Sequence, residues 1–324
     1  MLKRLLAIVS LSVCLPVTAP AQEVFPAKPL RIVVPYPAGG ATDFVARTVG
    51  ERLAKSLGQA VLIDNKPGAA GGLGAREVAR ARPDGYTLLL TITDSQINNV
   101  ALFKTLPYDP QKDFAFVTQI VRSPAVISVN AESPIKSMQD LKQRAAKDKG
   151  NGSYASWGIG GLGHLAGESL NRELDAGMVH SPQRGDSPVI TDLLSKTVEL
   201  GLSSVASAKQ HVQAGKLTAL AVLGRERSSA LPKVPTMREL GFSDPIYETN
   251  VWIGVLVPAK TSAPIVQRLA DEIRAIVKSP DLASLYVDRG FEVMNTSPDQ
   301  FAQDYRREFD VITKRIRTLG VEAQ

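Results

Sequence analysis

The segment SWGIGGLGHL, residues 156–165, contains three glycines with the spacing of a dinucleotide-binding turn. Gly158, Gly160 and Gly163 form G-x-G-x-x-G, and the acid expected about 20 residues further on would be Asp186. However, the motif lies in the middle of the chain, and residues 181–185 break the usual pattern of a strand followed by an acid. A lone glycine motif is weak evidence, so we set NAD aside and expect these glycines to bind another anion.

A second loop of this kind follows the first predicted strand, residues 30–34. The strand leads directly into PYPAGGATD, residues 35–43, after which a helix is predicted. Such a loop places free backbone N–H groups at the positive end of a helix, where carboxylates and phosphates are favoured. Glycine permits close backbone approach, and Thr42 or Asp43 could cap the helix. Taken alone, the loop is explained equally well as a capped turn without a ligand.

Residues that could catalyse a reaction are scarce. The sequence has no G-x-S-x-G and no H-E-x-x-H pattern, and it has three histidines. His164 and Glu168 are one helical turn apart, but two ligands do not complete a metal site, and a paired helix surface explains them more simply. Trp157 stands in a polar glycine loop, which favours a ligand contact over a core position. We therefore expect no enzyme, no metal site and no cofactor.

Alternating strands and helices must position the two loops. Short β-branched runs alternate with longer amphipathic stretches, which is the pattern of an α/β fold. A strand at residues 152–156 and a helix from about His164 flank the second loop. Extended runs around Pro124 and at residues 251–257 would carry the chain into a second lobe and back. Roughly 300 residues exceed what one core usually supports, so we expect two lobes with a ligand-binding cleft between them.

The first residues have the form of a secretory signal. Lys3 and Arg4 precede an apolar run, residues 5–17, and small residues ending at Ala21 form the cleavage site. The run is shorter than the roughly 20 apolar residues that span a membrane. We expect cleavage after Ala21 and a soluble protein outside the cytoplasm. The single cysteine, Cys14, lies inside this segment, so no disulfide is expected in the mature chain.

The composition is that of an ordinary globular protein. Hydrophobic residues make up 44% and charged residues 22% of the chain. The formal net charge is +6, of which Lys3 and Arg4 would be lost with the signal. The remaining basic residues are spread along the chain without a run of five or more like charges. Nucleic-acid binding is therefore not expected.

Seven motifs, in order along the chain, resemble those of one family. They are YPAGGATDFVAR (36–47), DNKPGAAGG (64–72), PDGYTLL (83–89), LPYDP with KDF (106–114), SWGIGGLGHLAGE (156–168), AGKL (214–217) and LPKVPT (231–236). The family is the tripartite tricarboxylate transporter substrate-binding proteins, the Bug receptors of proteobacteria. The resemblance covers nearly the whole mature chain, and seven motifs in register are far more specific than one glycine loop.

This resemblance implies a two-domain α/β periplasmic binding protein of type II, in which two crossover segments join domains that close around a small organic carboxylate. The implied domains are residues 22–122 with 248–324, and residues 123–247. Backbone amides, hydroxyls and waters of the two glycine loops would hold the ligand carboxylate, and its other end would face residues 94–98 and Arg184. The implied ligand-binding residues are Tyr36, Gly39, Gly40, Ala41, Thr42, Asp43, Ser95, Asn98, Ser156, Trp157, Gly158, Ile159, Gly160, Gly161, Arg184 and Ser203.

Two positions depart from the family pattern. Gly161 stands where many members have Ser or Thr, so one hydroxyl donor to the carboxylate is missing. Residues 201–204, which include Ser203, replace a stretch that often carries an aspartate. Both departures affect the expected identity of the bound carboxylate, and the expected class of ligand is unchanged. The resemblance implies membrane transporter subunits as partners of a monomeric receptor; the alternatives are a receptor for a two-component sensor kinase and, more remotely, an exported hydrolase.

Overall fold

The computed structural model describes residues 25–319 of the chain. The first lobe starts with β1 (Leu30–Val34), α1 (Ala41–Leu57), β2 (Val61–Asn65), α2 (Gly72–Ala79), β3 (Thr87–Ile92), α3 (Asn99–Leu102) and β4 (Phe114–Ser123). The second lobe has β5 (Ala125–Asn130), α4 (Met138–Lys147), β6 (Ser153–Ser156), α5 (Leu162–Glu173), β7 (Val179–Pro182), α6 (Asp186–Leu194), β8 (Leu200–Ser204), α7 (Val205–Gln213) and β9 (Leu217–Val222). The chain returns with β10 (Val251–Pro258), α8 (Ala263–Val277), α9 (Pro280–Asp288), β11 (Glu292–Val293) and α10 (Pro298–Leu319).

Each lobe is built on one mixed β-sheet. The strand order is β11-β4-β10-β3-β1-β2 in the first lobe and β7-β6-β8-β5-β9 in the second. Strand β1 runs parallel to β2 and β3, and β6 runs parallel to β7 and β8. The carboxyl ends of parallel strands share one edge of a sheet, and this edge is where α/β proteins bind ligands. The loops after β1 and β3 therefore meet, as do those after β6 and β7.

The chain passes between the lobes twice. It leaves the first sheet at Ser123 and enters the second at Ala125, and it comes back between Val222 and Val251. These crossings give the type II arrangement of two α/β lobes with a cleft between them, as predicted. The boundaries predicted at residues 122/123 and 247/248 lie close to the crossings, and their use as domain limits stays a prediction.

The predicted elements follow from burial patterns. Strand β1, LRIVV, has its four apolar side chains fully buried, as expected of a parallel strand covered on both faces. Helix α8 buries Val266, Leu269, Ala270, Ile273 and Val277, a spacing of three and four residues that forms one apolar stripe. In α10 the predicted core positions Phe301, Tyr305 and Ile312 are buried, and Phe309 is half-buried.

Two segments differ from the sequence expectation. The strand expected at residues 177–180 lies at Val179–Pro182, because Gly177 adopts a φ of 64° and continues the turn after α5. Residues 94–98, expected as a loop, form a helical turn that leads into α3, and all five are buried. Their polar side chains bond to one another and to the second lobe, which a sequence pattern does not reveal.

The predicted signal peptide, residues 1–21, lies outside the described residues. Among residues 25–319, none of the helices combines the length and the apolar character needed to cross a membrane.

Candidate ligand-binding site

A cavity of about 50 Å³ lies between the lobes. Its walls are formed by Tyr36, Pro37, Gly40, Ala41, Thr42, Ile92, Ser123, Pro124, Ala125, Trp157, Gly185, Asp186, Ser187, Pro188, Ser204, Val251 and Ile253. Pockets for drug-sized ligands measure about 300–1,000 Å³. The space between the lobes is therefore smaller than such a pocket.

Helix α1 begins at this cavity with its first N–H groups free. Its N-cap residue is Gly40, and no side chain among residues 25–319 caps the helix. Thr42, one of the two caps predicted from sequence, instead lines the cavity. The first N–H groups of a helix have no intrahelical acceptor, and the helix dipole adds partial positive charge there. An anion in the cavity would be favoured at this end of α1.

Asp43, the other predicted cap, holds the first loop from behind. Its carboxylate accepts hydrogen bonds from the Gly39 N–H at 3.0 Å, from Arg47 Nε at 2.9 Å and from Asn65 Nδ2 at 3.0 Å. Burial opposes its ionisation, but the bonds from Arg47, Gly39 and Asn65 outweigh burial and lower the pKa of Asp43. Asn65 also donates to the Tyr36 carbonyl at 3.1 Å. The loop is thus fixed in shape without using the free N–H groups of α1.

The second glycine loop, residues 157–161, is bonded to the opposite lobe. Trp157 lines the cavity and donates its indole N–H to Asp94 Oδ2 at 2.8 Å. Asn98 Nδ2 donates to the Gly160 carbonyl at 2.9 Å and to Asp94 Oδ1 at 3.1 Å. Asp94 and Asn98 belong to the buried helical turn after β3. These bonds exist only while the lobes are closed.

The stacked imidazoles of His164 and His180 pack against the second glycine loop and bond to it. His164 Nδ1 accepts the Gly160 N–H at 2.9 Å, and His180 stacks on His164 with ring centroids 4.0 Å apart. His180 Nε2 also bonds with Ser156 Oγ at 2.8 Å. Burial lowers the pKa of both histidines, and that of His180 falls to about 3 with His164 beside it. Both rings are therefore neutral and act as structural supports for the glycine loop.

The opposite wall of the cavity carries an acid that is half-buried. Asp186, the first residue of α6, accepts hydrogen bonds from the Ser204 N–H at 3.0 Å, from Ser204 Oγ at 2.7 Å and from Ser207 Oγ at 3.2 Å. Burial raises the pKa of Asp186. Ser123 also lines the cavity, and its buried hydroxyl has no hydrogen-bond partner among the described residues. The described lining contains no Lys, Arg or His side chain.

The predicted site residues fall into three groups. The cavity lining includes Tyr36, Gly40, Ala41, Thr42 and Trp157. Behind it, in the same two loops, lie Gly39, Asp43, Ser156, Gly158, Ile159, Gly160 and Gly161, the last two facing Leu102 and Asp94. Four predicted residues lie outside the lining. Ser95 bonds to Thr91, and Asn98 donates to the Gly160 carbonyl. Arg184 is exposed, and Ser203 is fully buried. Which of these residues contact a ligand stays a prediction.

Several residues of the lining, and Asp94 behind it, were not identified as site residues from the sequence. Asp94 was noted only as part of a loop, and Asp186 only as the acid of a dinucleotide motif. Ser123, Ser187 and Ser204 carry no motif at all. The useful signal was local: Asp186 follows Gly185 at the start of a predicted helix, the same arrangement as Gly40 before α1. Among the described residues, no three His, Cys, Asp or Glu side chains come together to hold a metal.

Two α/β lobes, two crossings and a closed cleft at the strand ends define a solute-binding receptor of the periplasmic type. The family model described as "Tripartite tricarboxylate transporter family receptor" matches residues 45–320. Protein BugT of Bordetella pertussis is 30% identical over 303 residues, covering 92% of this chain and 91% of BugT. The chain belongs to this receptor family.

Solved structures agree with the assignment. A structure of the periplasmic binding protein BugD superposes with a TM-score of 0.87 at 31% identity, covering 93% of this chain and 100% of BugD. An R. palustris protein with adipate gives a TM-score of 0.89 at 30% identity, with 93% and 100% coverage. MatC of Rhodopseudomonas palustris, with bound malate, gives 0.84 at 30% identity, with 90% and 100% coverage. The family and fold are those of receptors that bind a solute.

Proposed function

We propose that this receptor works in the periplasm, where it captures a small organic carboxylate at the start of α1 and presents it to the membrane subunits of a tripartite tricarboxylate-type transporter. The observation that carries the proposal is the uncapped N-terminus of α1, which opens on the cavity between the lobes. Free N–H groups at a helix start are a ready-made site for a carboxylate. Monomeric action and export through residues 1–21 remain part of the proposal.

Backbone capture is strong enough for this task. A hydrogen bond to a charged group contributes about 1.5–3 kcal/mol, and micromolar affinity corresponds to about −8.2 kcal/mol. Three or four N–H groups around Gly40 and Thr42, with burial of the carbon chain, reach this value without a cationic side chain. Ile92, Val251 and Ile253 supply apolar surface for that chain, and the free hydroxyl of Ser123 supplies a polar contact.

The ligands of the relatives support the class of solute. Adipate and malate, each bound in a solved relative, are small organic carboxylates. The comparisons lend no support to a sensor-kinase receptor or to an exported hydrolase, and no observation in the cleft favours either of them.

A binding screen tests the proposal directly. The purified protein would be heated with mono- and dicarboxylates, aromatic acids, amino acids and amides, and each compound that raises the melting temperature would be titrated by calorimetry. We expect at least one small carboxylate to stabilise the protein with a Kd of about 10 µM or lower. Stabilisation by neutral compounds alone, with no carboxylate active, would exclude an anion site at α1.

A further inference from the structure

The N-terminus of α5, in the second glycine loop, is already filled by a carboxylate of the protein itself. Asp94 reaches across from the first lobe, and its Oδ2 accepts the Trp157 indole N–H at 2.8 Å. The Leu162 N–H, at the first residue of α5, also bonds to this carboxylate. Asp94 is 5% exposed. Here Asp94 has the contacts that a helix N-terminus would otherwise offer to a bound anion.

Gly161 leaves the space that Asp94 occupies. A Cβ atom on Gly161 would lie 2.5 Å from Asp94 Oδ2 and 2.7 Å from Trp157 Nε1, closer than atoms in contact can approach. Gly161 has a φ of −66°, which any residue adopts, so the requirement is for space and not for backbone freedom. The acid at residue 94 therefore depends on the glycine at residue 161, because a side chain at residue 161 would occupy the place of the Asp94 carboxylate.

The other helix starts around the cavity differ from α5. At α6 the acid Asp186 is held by Ser204 and Ser207 of its own lobe. Helices α1, α6 and α7 begin at the cavity. The Ser204 side chain caps α7, and α6 has Asp186 as its first residue, whereas α1 has no side-chain cap within residues 25–319 and its first-turn acid, Asp43, lies outside the lining. Among the described residues, a ligand anion thus has one free helix start at the cavity.

We propose that Asp94 determines ligand specificity by standing in for a ligand carboxylate at α5, so that the receptor accepts acids with a single carboxylate and rejects those that carry a second one. This inference rests on the proposed function, because it assumes that α1 binds the first carboxylate. The far end of the ligand must be neutral or a hydrogen-bond donor, since a second anion would find the start of α5 already occupied by Asp94 and no basic side chain in the described cavity lining.

The first arm of the test compares matched ligands. Diacids of four to six carbons and their monoamides, which have nearly the same shape, would be titrated by calorimetry against the wild type and Asp94→Ser. We expect the wild type to prefer a monoamide by about tenfold or more, and Asp94→Ser to reduce or reverse that preference by at least about tenfold. Asp288→Ser, which removes an exposed acid at the end of α9 outside the cavity lining, serves as the control and should keep the preference. An unchanged ratio in Asp94→Ser would overturn the proposal.

The second arm needs no organic ligand. In a Trp252→Phe background, Trp157 is the single tryptophan and reports on α5. Sulfate should change its emission in Asp94→Ser and leave the Asp94 protein unaffected. Sulfate responses that are equal with and without Asp94 would contradict the proposal. If this response depends on Asp94 while no carboxylate binds either protein, the proposed function fails and the role of Asp94 at α5 stands.

Gly161→Ser gives an independent check with Asp94 still present. The added side chain should displace the Asp94 carboxylate from α5 and weaken the preference for monoamides in the same direction as Asp94→Ser. In the double variant the close contact with Asp94 Oδ2 is gone and the contact with Trp157 Nε1 remains, so Gly161→Ser should change the preference for monoamides little further. Additive effects of the two substitutions would show that residues 94 and 161 act separately.

Discussion

Trp157 and Asp94 form a hydrogen bond of 2.8 Å between the two lobes, with the indole N–H as donor. Trp157 also forms part of the cavity wall, so the same side chain contacts the ligand space and the closed interface. Asn98 adds a second bond between the lobes through the Gly160 carbonyl. Opening the cleft breaks both bonds. Closure of this receptor therefore carries a polar contribution that is independent of the ligand.

The first prediction concerns the pH dependence of that closed state. Burial raises the pKa of Asp94 from 3.8 to about 7, and Asp186 adds to the rise. The folded protein then binds this proton more tightly than the unfolded chain, so the resulting stability is complete below about pH 4 and is lost as the pH rises through 7. Between about pH 5.5 and 8, wild type should lose about 2 kcal/mol of unfolding free energy relative to Asp94→Asn, at about 1.4 kcal/mol per pH unit.

Urea unfolding at the two pH values measures this difference. Asp288→Asn removes an exposed carboxyl group at the end of α9 and should follow the wild type. If Asp94→Asn also shows the wild-type dependence, Asp94 is ionised in the folded protein at both pH values and the raised pKa is refuted.

The second prediction concerns the anion site at α1. Gly40 has a φ of −85° and a ψ of 179°, and an added Cβ would meet nothing closer than the Pro37 carbonyl at 3.9 Å. Gly40→Val should therefore fold, with a melting temperature near that of the wild type. Its methyl groups would cover the first N–H groups of α1, so we expect the thermal shift given by carboxylates to disappear.

Gly72→Ala is the control for this substitution. It adds a methyl group at the start of α2, outside the cavity lining, and should keep the ligand-induced shift. A full shift in Gly40→Val would show that the carboxylate binds elsewhere.

The fold was predictable because its signals are local. The apolar run of β1 and the spacing of Phe301, Tyr305 and Ile312 in α10 each reflect burial of one element against its sheet. Motifs in register then specified the family and, through it, the type II arrangement. Neither inference required knowledge of which side chains meet across the cleft.

The site was only partly predictable because its contacts span the two lobes. Asp94 and Gly161 are 67 positions apart, and a sequence pattern does not reveal that one fills the space left by the other. Asp186 likewise gains its role from Ser204 and Ser207, which are contributed by the next strand and helix. By contrast, the free N–H groups of α1 follow from a glycine placed directly before a helix, which the sequence shows.

The third prediction concerns Asp43 as the organiser of the first loop. Its carboxylate joins Gly39, Arg47 and Asn65, and its side chain is 6% exposed. Asp43→Asn removes the charge and turns one acceptor into a donor that faces Asn65 Nδ2. We expect a loss of about 1–3 kcal/mol in unfolding free energy and weaker carboxylate binding.

Arg47→Gln separates the loop bonds from the ion pair. The Arg47 side chain is 54% exposed, so losing it should cost below about 1 kcal/mol and leave binding nearly unchanged. Equal losses in both variants, measured by urea unfolding, would show that the ion pair holds the loop and that the bonds to Gly39 and Asn65 contribute little.

The last prediction concerns the imidazole pair beneath the second loop. Burial and the neighbouring His164 together lower the pKa of His180 to about 3. Because the folded protein binds this proton less tightly than the unfolded chain, stability is complete above the ordinary value of 6.5 and falls as the pH drops below it. His180→Phe retains a flat ring between Tyr154 and His164, which lie 4.7 Å and 4.0 Å from the imidazole, and has nothing to protonate.

Asp94 makes the unfolding free energy rise as the pH falls through the same range. The protein with His180 and the His180→Phe variant would therefore both carry Asp94→Asn. In that background we expect the protein with His180 to lose about 2 kcal/mol more than His180→Phe between about pH 6.5 and 5, measured by urea unfolding. His211 lies in α7, outside the imidazole stack. His211→Gln in the Asp94→Asn background should therefore show the same pH dependence of unfolding free energy as the Asp94→Asn protein. Identical slopes with and without His180 would mean that the imidazole is solvated well enough to accept a proton, and that the second loop does not depend on a neutral ring.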